Sequence, residues 1–274
     1  MLPPTRVRTG PVRLRGTPAP RYTRNVIKNL LRAVPAVALA LSVLPLAGSA
    51  AAAPSPVHAR AAAGPAASGP TATAVRAVAP PAGTDVPLAV ALAWVEEAPE
   101  GPRAGYSRKQ FKHWNKGLDP ADGCDTRKEV ILAEAVDVPE VGPRCALTGG
   151  RWWSQYDQVG VTSASSLDVD HMVPLAEAWD SGAAAWSAAR REAYANDQGA
   201  PNSLIAVSGS SNRSKADKDP SAWLPVPADR CAYAADWVAD KLRWQLTADA
   251  AERDALARLS EACPTSAVTY ERVP

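Results

Sequence analysis

The spacing of apolar and polar positions from residue 86 onward predicts short strands in the first half of a domain. Val86–Val95 is almost continuously apolar and fits either a first helix or a first strand. Ser107–Trp114 has the pattern of a short helix start. Leu147–Tyr156 carries two glycines between apolar and aromatic residues and predicts a hairpin, and Val159–Ser165 predicts another strand.

The second half of the pattern is dominated by helices. Leu167–Val173 reads as a strand, and Pro174 suits the first turn of a helix through Trp179. Ser210 and Ser211 are candidate N-caps for a helix that carries Asn212. The remaining predictions are a helix over Ala183–Ala195, a strand over Leu204–Val207, closing helices over Tyr233–Leu246 and Asp249–Cys263, and core positions for Trp152, Trp186, Trp237 and Trp244. The pattern therefore predicts an α+β fold that is mainly helical.

The first 84 residues differ from the rest. Residues 1–53 have a basic stretch, then an apolar core, then small residues with an Ala-x-Ala site, which is the order of a secretory signal peptide. A membrane anchor is the alternative, but the apolar run is shorter than the roughly 20 residues of a span and contains two prolines. Residues 54–84 are rich in Ala and Pro and are expected to be a disordered linker. We therefore expect a secreted protein, without stable membrane insertion after cleavage, whose folded domain is 85–274.

Charge is distributed unevenly along the chain. All 28 Asp and Glu lie at or beyond Asp85, together with 20 of the 30 Lys and Arg, so this part has a net charge of −8. An acidic domain argues against sequence-blind electrostatic coating of nucleic acids. Any action on a phosphate would need a local basic patch and a metal ion.

The four cysteines suit an oxidising compartment. Cys124, Cys145, Cys231 and Cys263 can form two disulfides in three pairings. The pairs Cys124–Cys145 and Cys231–Cys263 are favoured because each closes a local loop. A structural zinc site is the alternative, although no two cysteines have the Cys-x-x-Cys spacing.

Asp170 and His171 are the candidate chemical pair. A neutral imidazole can take a proton from water near neutral pH, and a carboxylate can bind a hard divalent cation. Consecutive side chains of a strand point to opposite faces, so a bend is needed before both can serve one site. Downstream, Asn212 can offer an amide oxygen to the cation, and Asn202 can hold the loop or the imidazole ring.

These residues resemble a known nuclease core. The runs are Asp168-Val169-Asp170-His171-Met172-Val173-Pro174, Asn202-Ser203-Leu204 and Ser211-Asn212-Arg213-Ser214-Lys215. They are similar to the HNH, or ββα-metal, core, including that of RNA-guided CRISPR nucleases. The chain more closely resembles secreted actinobacterial HNH proteins of the DUF1524 group, and the likeness extends to Tyr106-Ser107-Arg108, Phe111, His113-Trp114, Cys124-Asp125-Thr126-Arg127 and Trp223-Leu224-Pro225. The stretch between His171 and Asn202 is longer than in the minimal motif.

The resemblance implies a role for each matching residue. His171 corresponds to the general base, Asp170 and Asn212 to metal ligands, and Asn202 to the residue that orients the base or its loop. Mg²⁺, or another divalent ion such as Mn²⁺, is the implied cofactor. The implied fold is a mainly helical domain around a ββα-metal core, stapled by disulfides.

The resemblance implies DNA as the substrate, with RNA as a second one, and a monomer is expected. Arg213 and Lys215 are candidate nucleic-acid contacts, and Lys215 suits either a phosphate contact or an ordinary exposed lysine. Asp168 is expected to be a structural hydrogen-bonding partner. His113 suits either a second catalytic imidazole or ordinary helix packing, and the basic residues Arg108, Lys109, Lys112 and Lys116 suit either a solvated helix face or a phosphate-binding patch.

A non-enzymatic function is the main alternative. The chain could be a secreted module that binds nucleic acid or the cell envelope and retains an HNH-like core without cleaving anything. The acidic charge and the Ala/Pro-rich segment favour this alternative.

Overall fold

A computed structural model of the protein describes residues 83–274. The expected signal peptide, residues 1–53, lies outside these residues, and so does the expected linker, residues 54–84, except for its last two positions. All the described residues belong to one compact unit.

The beginning and the end of the described chain are paired. Strand β1 (Val86–Pro87) lies antiparallel to β8 (Ala267–Val268), and helix α1 (Leu88–Leu92) follows β1 directly. The apolar run over Val86–Val95, for which the pattern predicts either a strand or a helix, therefore forms a short strand followed by a short helix. Its buried side chains pack into the main core with the C-terminal helices.

Two long helices form one side of the main core. Helices α6 (Arg230–Trp244) and α7 (Ala250–Ala262) lie within three residues of their predicted ends. Helix α7 begins where predicted because the Asp249 side chain accepts a hydrogen bond from the Glu252 amide, which has no partner within the helix. Trp237 and Trp244 are buried in this core as expected, whereas Trp186 is only partly buried against it.

Both disulfides have the favoured pairing. Cys124–Cys145 ties the start of α2 (Thr126–Ala133) to a later turn, and Cys231–Cys263 ties the first turn of α6 to the end of α7. Each stabilises the fold by about 3 kcal/mol, because it restricts the unfolded chain. No described cysteine is free, so the alternative of a four-cysteine zinc site is wrong.

Two small hairpins follow α2. Strand β2 (Glu140–Gly142) pairs with β3 (Ala146–Thr148), and β4 (Trp152–Ser154) pairs with β5 (Val159–Val161). The prediction of one hairpin over Leu147–Tyr156 is wrong, because Gly149 and Gly150 connect two different hairpins. Both glycines have positive φ angles, 68° and 86°, and turn the chain out of the first hairpin into the second.

The longest strands form a separate antiparallel pair. Strands β6 (Leu167–His171) and β7 (Leu204–Ser208) pair along their whole length, with Asp170 opposite Ile205 and His171 opposite Leu204. Helix α5 (Gly209–Lys215) follows β7 without a loop. Its N-cap is Ser208, whose hydroxyl accepts from the Ser211 amide, and not Ser210 or Ser211 as predicted.

Between β6 and β7 the chain forms two helices. Helix α3 (Leu175–Asp180) ends within one residue of the predicted end, and Pro174 is its N-cap, one position before the first turn in which it was expected. The single helix predicted over Ala183–Ala195 is interrupted: a short 3-10 turn, Ala183–Ala185, precedes helix α4 (Ala188–Ala195). The Ser187 hydroxyl caps α4 and provides a favourable start that composition alone did not reveal.

The β6–β7 pair is covered on both faces. Leu167, Val169, Leu204 and Ala206 pack with Val130, Ile131 and Trp152 in a second, smaller core beneath α2. Ile205 and Val207 belong to the main core. Because side chains alternate along a strand, Asp168 and Asp170 share the face of the main core. The structure is thus a mixed α/β fold with small sheets, and one face of β6 carries a buried carboxylate, Asp170, and a half-buried one, Asp168.

Candidate active site

Helix α5 presents two polar side chains to β6. Asn212 and Lys215 are three residues apart and therefore lie on one side of the helix. Asn212 Nδ2 donates to Asp168 Oδ2 at 3.2 Å, and Lys215 Nζ donates to Asp170 Oδ2 at 2.5 Å. These two contacts, Asn212 to Asp168 and Lys215 to Asp170, bring together the two parts of the sequence motif that are far apart in the chain.

Lys215 is fully enclosed, with 0% of its side chain exposed. Besides Asp170, its ammonium donates to the carbonyl oxygens of His171 and Met172, both at 2.9 Å, so all three protons have acceptors. Burial lowers the Lys215 pKa, and the Asp170 charge offsets part of that effect. The prediction that Lys215 contacts nucleic acid is wrong, because the side chain has no access to the surface.

Asp170 is also buried, with 7% of its side chain exposed. Its Oδ2 also accepts a hydrogen bond from the Tyr156 hydroxyl at 2.8 Å. Burial raises the Asp170 pKa, and the Lys215 charge and hydrogen bond act in the opposite direction. Tyr156 was not found from the sequence, because it lies in a short loop between β4 and β5 and carries no motif signal.

His171 is held by a backbone group. Its Nε2 lies 3.0 Å from the Ala195 carbonyl oxygen at the end of α4, so Nε2 carries the proton and donates. In the neutral ring, Nδ1 then keeps its lone pair. Burial lowers the His171 pKa to about 3, which keeps the ring uncharged at neutral pH.

Aromatic rings enclose His171. Trp114 and Tyr194 stack on it at centroid distances of 5.5 and 6.2 Å. His113 lies edge-on to it at 6.4 Å, which places the second imidazole beside the first. His113 Nδ1 donates to the Phe111 carbonyl at 2.7 Å, so its Nε2 can accept from Arg108 Nε at 3.3 Å.

The remaining predicted site residues lie around this centre. Asn202 Nδ2 donates to Asp236 Oδ1 at 2.5 Å, and within residues 83–274 the hydrogen-bond partner of the His171 ring is Ala195 instead. Arg213 has 73% of its side chain exposed and lies 3.8 Å from Asp168. Among the basic residues near Trp114, Lys112 forms an ion pair with Glu192 at 2.7 Å.

The oxygen atoms at β6 and α5 fit a hard cation in part. Since Asn212 uses its Nδ2 for Asp168, its Oδ1 is the atom left to accept, and carboxylate and amide oxygens are what Mg²⁺ and Mn²⁺ prefer. The ammonium of Lys215 already offsets the charge of Asp170, which reduces the affinity expected for an ion. Asp168 adds a second carboxylate on the same face of β6.

Sequence comparison identifies a secreted relative. The chain is 38% identical over 173 residues to an uncharacterized secreted protein of the fungus Arthroderma benhamiae, which covers 63% of this chain and 82% of that protein. The prediction that the protein is secreted is confirmed by this relative. Among residues 83–274, no helix combines the length and apolar character needed to cross a bilayer.

A family profile covers the candidate site. Residues 143–259, which include β6, β7 and α5, match the family described as the C-terminal domain of GmrSD restriction endonucleases. No solved structure matches the chain. The chain therefore belongs to the same family as the secreted fungal protein, and the similarity of its residues 143–259 to the C-terminal domain of GmrSD restriction endonucleases supports a nuclease-family protein.

Proposed function

We propose that this protein is a secreted, metal-dependent endonuclease that hydrolyses phosphodiester bonds of DNA, and of RNA as a second substrate. In this proposal β6, β7 and α5 form an HNH-type, ββα-metal core of the DUF1524 kind. One observation carries it: α5 directs Asn212 toward the face of β6 that bears Asp168 and Asp170, with His171 next in the chain.

His171 is the proposed general base. The Ala195 carbonyl holds the Nε2 proton, so Nδ1 is the atom that accepts a proton from water. The low pKa keeps this atom unprotonated well below neutral pH. Trp114 and Tyr194 restrict the ring to one orientation, which favours a productive geometry.

Asp170 and Asn212 are the proposed ligands of a Mg²⁺ or Mn²⁺ ion. When bound, such an ion offsets charge on the phosphate and on the leaving oxygen. Asp168 fixes the Asn212 amide so that its oxygen, and not its nitrogen, is available. Lys215 holds the Asp170 carboxylate in place through three hydrogen bonds to consecutive residues of the motif.

Arg213 and Asn202 have supporting roles in the proposal. The exposed Arg213 guanidinium is suited to contact a phosphate of the nucleic-acid backbone. Asn202 positions the loop before β7 through Asp236, and acts on His171 only through that loop. The proposal includes a signal peptide over 1–53, a linker over 54–84, a catalytic domain over 85–274, and a monomeric enzyme.

Cleavage of a supercoiled plasmid tests the proposal. The secreted protein is incubated with Mg²⁺ or Mn²⁺, with EDTA as the chelator control, and His171→Ala is compared with His58→Ala, the same substitution at a linker position. We expect metal-dependent nicking that is lost with EDTA and with His171→Ala and is retained with His58→Ala. Absence of nicking with every divalent ion tried, or full activity of His171→Ala, would overturn it.

A non-catalytic binding module is the second candidate. The Lys215 ammonium on Asp170 favours it, because an internal cation already occupies one oxygen of a proposed metal ligand. In that case the protein binds DNA or wall polymer without cleaving it, and His171→Ala leaves binding unchanged.

A further inference from the structure

A group of carboxylates outside the proposed nuclease site lies where the segment after α1 meets α3. Glu100 follows α1, Glu177 and Asp180 lie on α3, and one ligand oxygen from each falls within 4.8 Å of the others. Glu100 forms a second such group with Asp219 and Asp249. The Gly101 amide donates to the Asp180 carbonyl at 2.7 Å, which fixes Glu100 next to α3.

Asp180 carries the strongest sign of a missing partner. Its side chain is only 2% exposed, and its Oδ2 accepts from Arg103 Nε at 2.6 Å. Its Oδ1 is buried and has no hydrogen-bond partner among residues 83–274. A buried carboxylate oxygen without a donor is costly, so a ligand that supplies positive charge would be favourable there.

The nearby cations do not balance the group. Arg103 pairs with Asp180 and lies 3.8 Å from Asp217, while Lys241 is shared between Glu177 and Glu252, at 2.9 Å from each. Within the described part of the chain, Glu100, Asp219 and Asp249 form no ion pair. Two positively charged side chains, Arg103 and Lys241, therefore pair with members of a set of seven carboxylates: Glu100, Glu177, Asp180, Asp217, Asp219, Asp249 and Glu252.

We propose that Glu100, Glu177 and Asp180 bind a divalent cation of the Ca²⁺ type. Ca²⁺ takes oxygen ligands at about 2.3–2.6 Å in flexible arrangements, so ligand oxygens up to about 4.8 Å apart can share one ion. Mg²⁺ demands a tighter octahedral arrangement and fits such a wide group less well. A cleft of about 390 Å³ lined by Glu100 and Asp249 lies on the Glu100 side of the group, and Glu100 itself is exposed to solvent.

The electrostatics of Glu100 agree with this geometry. Its pKa is raised by burial and by the charges of Glu177 and Asp180, followed by those of Asp249 and Asp219. This repulsion among carboxylates is what a bound cation relieves. The ion would tie the segment after α1 to α3, the helix that follows the Asp170-His171 strand. The site is independent of the proposed nuclease activity.

Thermal unfolding of the secreted protein tests the site. The Tm is measured in EDTA and in about 10 mM CaCl₂, and heat of Ca²⁺ binding is measured by calorimetry. For a dissociation constant about a hundredfold below the Ca²⁺ concentration, we expect Ca²⁺ to raise the Tm by about 5 °C or more. Glu100→Gln should lose most of this rise, because it removes one charged ligand while keeping the shape of the side chain.

Two control variants make the test specific. Glu261→Gln changes an exposed carboxylate on α7 outside the group and should keep the full rise. Asn212→Ala removes a proposed nuclease ligand and should also keep it, so failure of the nuclease proposal and failure of this one are distinguishable. Equal Tm values for the wild type in EDTA and Ca²⁺ would overturn the proposal, and so would an undiminished rise in Glu100→Gln. A Glu100→Gln protein that is merely more stable in EDTA, with no Ca²⁺ effect in the wild type, would show that a proton and not a cation neutralises the group.

Discussion

The Lys215 ammonium lies 2.5 Å from Asp170 Oδ2 in the interior of the protein, and the two residues are 45 positions apart in the chain. This contact joins α5 to β6 and closes the β6–β7–α5 unit around the Asp170-His171 motif. Because Lys215 also donates to the His171 and Met172 carbonyls, one side chain holds three consecutive residues of β6 and the turn after it.

Replacing Lys215 should destabilise the protein strongly. Lys215→Met leaves Asp170 buried without its countercharge, for which we expect a loss of about 3–5 kcal/mol in the free energy of unfolding. Urea unfolding at neutral pH measures the loss. Lys218→Met changes an exposed lysine three residues further on and should cost less than about 0.5 kcal/mol. Adding Asp170→Asn to Lys215→Met should recover part of the loss, and a Lys215→Met protein as stable as the wild type would contradict the role of the pair.

Acid should destabilise the protein through His171. Its pKa is about 3 in the folded state, against an ordinary 6.5, so between these values the unfolded chain binds a proton that the folded protein does not. The contribution of the neutral His171 ring to the free energy of unfolding is therefore fully present above pH 6.5. It falls by about 1.4 kcal/mol for each pH unit as the pH decreases toward 3. The free energy of unfolding of wild type minus that of His171→Asn, measured between pH 4 and 8, should increase with pH up to about 6.5 and then level off. Parallel curves would refute the effect.

Asp240 should act in the opposite direction. Burial raises the Asp240 pKa to about 7, so between 3.8 and 7 the folded protein holds a proton that the unfolded chain has lost. Stability then falls as pH rises through this window, by about 1.4 kcal/mol per unit. Asp240→Asn cannot ionise and can still accept from the Ser203 hydroxyl, which lies 2.7 Å from Asp240 Oδ1. The stability of the variant relative to wild type should increase from pH 4.5 to 7.5, and a constant difference would contradict the raised pKa.

Removing the Asn212 amide should separate catalysis from folding. Asn212 is partly exposed and contacts Asp168 through one hydrogen bond, so Asn212→Ala should cost only about 1 kcal/mol in stability. As a proposed metal ligand it should matter far more for cleavage, with a loss of about a hundredfold or more at saturating DNA. Single-turnover cleavage at several Mg²⁺ concentrations measures this loss. Ser210→Ala, an exposed position on the same helix, is the control, and equal cleavage rates for the two variants would count against the ligand role.

Much of the secondary structure could be predicted, and the failures share a cause. The closing helices were predicted well because their apolar spacing and the Asp249 cap are local signals. The two hairpins around Gly149-Gly150, the break at Trp186-Ser187 and the Ser208 cap were not predicted correctly. In each of these three regions, the local sequence pattern is compatible with several positions of the turn or the cap. The position that forms depends on which strand or core the segment packs against in the fold.

The sequence by itself determined the candidate residues, the favoured disulfide pairing and the expectation of a secreted protein. Those inferences rest on residue types and spacing, which need no coordinates. Only the tertiary structure decided that Lys215 is a buried countercharge and not a surface contact, that the Ala195 carbonyl and not Asn202 holds His171, and that Tyr156 belongs to the site. The physical reason is that burial and pairing of a charged side chain depend on segments far apart in the chain. The sequence around a lysine near a motif is the same whether its ammonium faces solvent or a buried carboxylate.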